Sequence, residues 1–176
     1  MNIPINFIAD KERLFQGIGE TVVQFQFLEH EVAEVLASLL QMRHPSDTHR
    51  ITAAMSFGQK VDLMCDLYPG RKSPDWPSVD LRLTRSVLKV AEAFRNTVVH
   101  SFWHLGIERR WMRTKANLRR KDGLSVSTGV VSLDALEEGA KCLSVVRDWY
   151  LGDSDEVAIA ADRLEVLARK LSTTED

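Results

Sequence analysis

Residues 79–105 read VDLRLTRSVLKVAEAFRNTVVHSFWHL, and this stretch decides the fold. Its apolar side chains recur at spacings of three and four, which is the period of an α-helix with one buried face. At 100° per residue these side chains lie within an arc of about 120°. The pattern therefore predicts a long helix over residues 79–105, with a core face formed by Leu83, Val87, Val90, Ala91, Phe94, Val98 and Phe102.

Helical patterns also cover residues 10–43, 48–68, 132–152 and 157–171, so the predicted fold class is all-α. The second of these helices is apolar on several sides and is expected at the centre, and a loop over 69–78 with three prolines follows it. Ser132 has the character of an N-cap. Residues 107–131 lose the helical period around a turn-like run at 119–123, which predicts a β-hairpin. The expected architecture is one domain, residues 1–176: a bundle of four to five helices with a small β-hairpin insertion at about 107–131 and a disordered tail at 173–176.

The composition is that of an ordinary globular protein, 44% hydrophobic and 27% charged. With 23 basic and 25 acidic residues the net charge is −2, so no global field draws the molecule to a polyanion. Cys65 and Cys142 lie far apart, and no cluster of His, Asp, Glu or Cys has ligand spacing, so neither a metal site nor a cofactor is expected. The N-terminus lacks the pattern of a secretion signal and no apolar run is long enough to span a membrane. The predicted location is cytoplasmic, without a membrane partner.

The helix predicted over 79–105 carries a second face that packing alone does not explain. Arg95, Asn96, Val99, His100 and Trp103 follow one another around the helix beside the core stripe. Asn96 and His100 are four residues apart and therefore neighbours on the helix surface. A solvated face would not be expected to gather these residue types with so few Lys or Glu. This face is too apolar to leave in water and too polar for a core, so it predicts a two-fold homodimer through the Arg95–His100 face.

Residues 95–100, RNTVVH, match the Arg-x4-6-His motif of the HEPN superfamily, including the polar residue directly after the arginine. The chain resembles that superfamily, and the resemblance implies a helical bundle that dimerises with the two motifs facing each other. It further implies a metal-independent endoribonuclease, often a toxin or host-defence effector, with Arg95 and His100 catalytic and Asn96 supporting them. An antitoxin or a small nucleotidyltransferase is then an expected partner. Some relatives are inactive, so a non-enzymatic HEPN-like dimer that binds RNA, a nucleotide or a protein partner is the alternative.

The chemistry suits these residue types. The 2′-hydroxyl of RNA can attack the adjacent phosphate, so that cleavage requires neither metal nor cofactor. A histidine that titrates near neutral pH can remove the hydroxyl proton or protonate the leaving oxygen. Arg95 can hold the phosphate with two hydrogen bonds and stabilise transition-state charge. Asn96 can orient the imidazole of His100 or donate to a phosphate oxygen.

A purely structural interpretation is also open. Glu29 falls on the apolar stripe of the first helix, where an acid is costly unless it is paired. Arg95 is the partner expected for it, either as a structural cation or as a catalytic residue oriented by the pair. His104, one helical turn beyond His100, is expected on the surface or as a supporting residue of the site, and Trp103 is expected as a core or interface anchor.

A basic segment follows the motif. Residues 107–121 contain a single acid, Glu108, and seven basic residues: Arg109, Arg110, Arg113, Lys115, Arg119, Arg120 and Lys121. One interpretation is an RNA-binding track that contacts the phosphate backbone and leads to the site. The other is a solvated hairpin whose Lys and Arg side chains prevent edge-to-edge strand pairing. The sequence leaves both open.

Overall fold

The computed structural model describes residues 5–106, 110–120, 123–150 and 153–171. Within these residues the chain is mostly helical, and it carries one small antiparallel sheet. The predicted tail at 173–176 lies outside the described residues. The elements in chain order are α1 (Ile5–Leu39), α2 (Pro45–Ala53), α3 (Phe57–Arg71), α4 (Leu81–Val99), β1 (Phe102–Leu105), β2 (Trp111–Arg120), β3 (Gly123–Val130), α5 (Leu133–Arg147) and α6 (Ser154–Lys170), with a 3₁₀ turn at Asp148–Tyr150 between the last two helices.

Side-chain caps determine where several helices begin. Ser132 accepts a hydrogen bond from the backbone N–H of Ala135, so the predicted N-cap of α5 is confirmed. Asp80 caps α4 by accepting from two backbone N–H groups of the first turn. Ser56 and Gln59 form a reciprocal capping box at the start of α3. That box divides the predicted helix 48–68 into α2 and α3, with a break at residues 54–56.

Two further boundaries differ from the prediction. Helix α3 continues through Pro69 to Arg71, so the loop begins later than the proline-rich run suggests. Helix α4 ends at Val99, six residues earlier than expected, because residues 102–105 form the strand β1. Most of the segment predicted as a hairpin belongs to a three-stranded sheet of order β1-β2-β3, while residues 107–109 and 121–122 lie outside the described residues.

Helix α4 lies at the centre of the bundle, where the sequence had suggested the segment 48–68. It contacts α1, α3, α5 and α6. Phe94 is completely buried on its core face, and Gly139 of α5 lies against the phenyl ring. A Cβ atom built at Gly139 would lie 2.0 Å from Cζ of Phe94. The absence of a side chain at Gly139 therefore lets α5 approach α4 closely, because any larger residue would overlap the ring.

Gly139→Ala should lower the free energy of unfolding by about 3 kcal/mol, since Phe94 must leave its position in a close-packed core. Gly19→Ala is the matched control, because Gly19 lies in α1 with no neighbouring atom within 4 Å of an added Cβ. This control should raise the free energy of unfolding by about 0.5–1 kcal/mol through helix propensity. Urea denaturation of both variants measures the difference. Equal effects at the two positions would contradict the close approach of α5 to α4.

Candidate functional site

The predicted motif lies at the C-terminal end of α4, where side chains take over from helical hydrogen bonds. The hydroxyl of Ser101 donates to the carbonyl oxygen of Thr97 over 2.6 Å. The indole Nε1 of Trp103 donates to the carbonyl oxygen of Val98 over 3.0 Å. The last carbonyls of a helix have no partner within the helix, and these two receive side-chain donors instead. This explains why α4 ends at Val99 although the apolar period continues through Phe102.

Arg95 is half-buried and held in place by two neighbours. Its guanidinium carbon lies 4.3 Å from the centroid of the Phe25 ring on α1, a cation–π contact. Its Nη1 donates to Oδ1 of Asn96 over 2.8 Å. In the described part of the chain no carboxylate lies within ion-pair distance of Arg95. The cation is therefore positioned by a ring and an amide, neither of which neutralises it.

The expected pairing of Arg95 with Glu29 is wrong. Oε1 of Glu29 accepts a hydrogen bond from Nζ of Lys60 over 2.8 Å, and this forms the ion pair. The Lys60 residue is only 6% exposed, whereas about one third of the Glu29 side chain reaches solvent. The acid on the α1 stripe thus compensates a buried lysine of α3. Lys60 was not identified from the sequence as the partner of Glu29, although Lys60 interrupts the apolar face of residues 57–68 just as Glu29 interrupts that of α1.

His100 is the C-cap residue of α4, and its side chain is exposed. Its backbone N–H donates to the carbonyl oxygen of Asn96 over 3.2 Å, the last helical hydrogen bond of α4. The side-chain oxygen of Asn96 accepts a hydrogen bond from Arg95, so this amide positions the guanidinium of Arg95. Four residues lie between Arg95 and His100, which places their Cα atoms about 7.5 Å apart along the helix axis. The two motif residues thus lie on the last turns of one helix, one half-buried and one in solvent.

Trp103 and His104 were expected to continue the helix, but they belong to β1 and lie on its opposite faces. The Trp103 side chain is half-buried and packs against the core cluster of its own chain. Nε2 of His104 lies 3.0 Å from Oγ1 of Thr114 on β2, within hydrogen-bond distance. His104 therefore does not follow His100 one turn along a helix. Trp103 is an anchor inside the monomer and not, as predicted, part of an exposed apolar helix face.

Arg113 is the most deeply buried of the basic residues predicted to bind RNA. Only 2% of it is exposed, and its Nη1 donates to the Ser101 hydroxyl oxygen over 3.0 Å. Its Nε is buried without a hydrogen-bond partner, and no described carboxylate lies within ion-pair distance. Burial lowers the pKa of the Arg113 guanidinium from its usual value. The favourable interaction is with the C-terminal end of α4, which carries partial negative charge and reaches Arg113 through Ser101.

The remaining basic residues are distributed around the sheet. Lys115 is half-buried, and its pKa is lowered first by burial and then by the charge of Arg113. Arg110 is exposed just before β2. Arg119 and Arg120 belong to the end of β2, while Arg109 and Lys121 lie outside the described residues. The basic segment is therefore not one uniform solvent-facing track, because Arg113 faces the interior.

Arg95→Ala should lower the free energy of unfolding by only about 1 kcal/mol, the scale of a cation–π contact at a partly exposed position. Glu29→Ala should cost about 3 kcal/mol, because it leaves the buried ammonium of Lys60 without its partner. Glu34→Ala, at an exposed acid of the same helix, is the control and should change the free energy by less than about 0.5 kcal/mol. Urea denaturation of the three variants and of the Arg95/Glu29 double variant measures these values. Strong coupling between Arg95 and Glu29 in that cycle would contradict the observed pairing.

We compared the chain with known protein families, curated proteins and solved structures. No protein-family model, curated protein or solved structure matches the chain significantly. Among the described residues, no group of three or more His, Cys, Asp or Glu is arranged to hold a metal ion, and Cys65 and Cys142 are free thiols. No described helix is long and apolar enough to cross a membrane.

Proposed function

We propose that this chain is a HEPN-like, metal-independent endoribonuclease that uses Arg95 and His100, with Asn96 in support. The observation that carries the proposal is the presence of a positioned guanidinium, not neutralised by any described carboxylate, and of an exposed imidazole at the end of the same helix. The two groups supply the two functions that cleavage of RNA by its own 2′-hydroxyl requires: stabilisation of negative charge, and proton transfer.

Arg95 would bind the scissile phosphate. A guanidinium engaged by a carboxylate has little charge left for a ligand, whereas Arg95 contacts a phenyl ring and an amide oxygen. The contact with Asn96 uses Nη1, and the contact with Phe25 holds the plane of the guanidinium. A preorganised donor of this kind stabilises the charge that develops on the phosphate without reorganising during the reaction.

His100 would transfer protons. The 2′-oxygen attacks phosphorus while its proton passes to a base, and the departing 5′-oxygen takes a proton from an acid. The products are a 2′,3′-cyclic phosphate and a 5′-hydroxyl. One imidazole cannot act as base and acid in the same step, so the motif of one chain supplies half of what a concerted reaction needs. A two-fold dimer that brings two His100 side chains to one phosphate would supply both groups.

The dimer we propose uses the end of α4. Val99 is 40% exposed beside His100, so it can contribute apolar area next to the motif. A second row of exposed apolar side chains lies on α1 and consists of Ile8, Phe15, Val23 and Phe27. We place the interface at Val99 because it is next to His100, so that a two-fold contact there would bring the two motifs together.

A non-catalytic HEPN-like dimer that binds RNA, a nucleotide or a protein partner is the second candidate. The observation that favours it is that Asn96 Oδ1 contacts Arg95, while among the described residues no hydrogen bond orients the imidazole of His100. Proton transfer is most efficient when the imidazole is oriented by a neighbour, while binding has no such requirement. The action as a toxin or host-defence effector, with an antitoxin or nucleotidyltransferase partner, stays a prediction from the resemblance.

His100→Ala should lower the rate of RNA cleavage about 100-fold or more, the usual contribution of general acid–base catalysis. Arg95→Ala should lower the rate by a similar factor and also weaken RNA binding. Both effects should be measured in excess EDTA, where the parent protein is expected to keep its activity. The assay follows a fluorescently labelled RNA and identifies the cyclic phosphate at the new 3′ end.

His49→Ala is the control for this assay, since His49 is an exposed histidine on α2 outside the motif. It should cleave RNA at the parent rate. Melting temperatures of the same preparations separate lost activity from lost folding. A requirement for added magnesium, or no cleavage by the parent protein on any RNA tested, would overturn the enzyme proposal and leave the binding dimer as the leading candidate.

Light scattering should show a dimer at micromolar concentration, and Val99→Glu should convert it to a monomer by placing a charge in the apolar contact. Phe15→Glu is the comparison, because Phe15 is 58% exposed on α1, in the other apolar row. It should leave the dimer intact. A monomeric parent protein, or a dimer that is lost only in Phe15→Glu, would contradict an interface at the motif.

A further inference from the structure

Side chains alternate between the two faces of the sheet, and one of these faces points away from the core. Phe102 pairs with Thr114, and Thr114 pairs in turn with Thr128, so these three residues lie side by side across β1, β2 and β3. Residues opposite each other in an antiparallel sheet point to the same face. The neighbours Trp103 and Arg113 belong to the other face, which packs against the bundle. Phe102, His104, Thr114 and Thr128 therefore form one continuous surface, which we call the outer sheet face.

Two aromatic rings are stacked on the outer sheet face. The rings of Phe102 and His104 have centroids 5.5 Å apart and planes inclined by 22°. Phe102 is 70% exposed, the highest exposure among the large apolar side chains of the described residues. An exposed phenyl ring that already stacks on one side has its other face open to a further flat group.

Hydrogen bonds hold this stack in position. His104 Nε2 lies 3.0 Å from Thr114 Oγ1, and Thr114 Oγ1 lies 2.9 Å from Thr128 Oγ1. These hydrogen bonds link His104, Thr114 and Thr128 across all three strands. They fix the plane of the imidazole against which Phe102 packs. A platform fixed in this way loses little conformational entropy when a ligand stacks on it.

The strands of the sheet carry basic residues and no acidic residue. Strands β1, β2 and β3 contain none of the 25 acidic residues. Arg113 and Lys115 lie on the face towards the bundle, whereas the exposed Arg110 stands just before β2, and Arg119 and Arg120 end that strand. The whole chain has a net charge of −2, so its other parts carry the excess of acid. Because the strands offer no acid to pair with these cations, a second copy on this face would gain no charge complementarity, whereas a phosphate backbone would.

We propose that the outer sheet face binds single-stranded RNA by stacking an unpaired base on Phe102. Stacking on an exposed ring combined with a positive field along the backbone is the usual way in which proteins hold unpaired nucleotides. Only Ser101 lies between His100 and Phe102, so their Cα atoms are at most about 7 Å apart. A base stacked here would lie beside the imidazole of the proposed site. The inference rests on the proposed function for the substrate class, RNA, but it does not require cleavage.

The test measures binding of a fluorescein-labelled, unstructured 2′-O-methyl oligonucleotide by anisotropy. The methyl group blocks the 2′-hydroxyl, so binding is measured without cleavage and stays measurable if the proposed nuclease activity does not exist. Phe102→Ala should raise the dissociation constant about 5- to 150-fold, the range found when one stacking aromatic is removed. Phe102→Trp should bind at least as tightly as the parent, and Phe102→Leu should resemble Phe102→Ala because it keeps apolar area without a π system.

Ile159→Ala is the matched control. Ile159 is 69% exposed on α6, almost as exposed as Phe102, and this variant should bind like the parent. The slope of affinity against salt concentration should be unchanged in Phe102→Ala, since no phosphate contact is removed. Unchanged binding in Phe102→Ala, equal weakening in Ile159→Ala, or no binding by the parent protein would overturn the proposal. A change in oligomeric state of Phe102→Ala with unaltered RNA affinity would overturn it too and assign the face to self-association.

Discussion

The end of α4 is the constraint on which the rest of the structure depends. Two carbonyl groups that a longer helix would have used, those of Thr97 and Val98, accept hydrogen bonds from the side chains of Ser101 and Trp103. Because these donors complete the last turn, the chain can leave the helix at once and form β1. The side chain of Arg113 on β2 points towards the bundle and donates a hydrogen bond to the same Ser101 hydroxyl. Bundle and sheet therefore meet at one junction.

Three buried or half-buried cations show how differently the chain compensates positive charge. Lys60 has a carboxylate, Glu29, at 2.8 Å. Arg113 has the polar end of a helix, reached through a serine hydroxyl. Arg95 has a phenyl ring and an amide oxygen. Only the first of these cations is neutralised by an opposite charge. Arg95 therefore keeps a charge that no described carboxylate neutralises, and this is the feature that the proposed phosphate contact would use.

The two proposals meet at residues 100–102. His100 ends the helix and Phe102 begins the sheet, with Ser101 as the link that the buried Arg113 holds in place. An exposed imidazole and an exposed phenyl ring are thus carried by a backbone whose middle residue is anchored from below. This arrangement would give a flexible single strand a fixed geometry for the phosphate relative to the base, and such fixed geometry is what proximity effects in catalysis require.

The sequence by itself determined the predominance of helices, the buried stripe of α4 from Leu83 to Val98 and the N-cap at Ser132, because these features depend on the local period of apolar residues and on local hydrogen bonds. It also marked Arg95 and His100 as unusual, although the role of these residues stays a prediction. The end of α4 could not be read in the same way, since the apolar period continues through Phe102 and only the contacts of Ser101, Trp103 and β2 terminate the helix. The partner of Glu29 was likewise decided by tertiary structure: Arg95 and Lys60 are equally plausible cations in the sequence, and the packing of α3 against α1 selects Lys60. Local pattern specifies which residues a helix buries, whereas pairing between distant residues depends on how the helices pack.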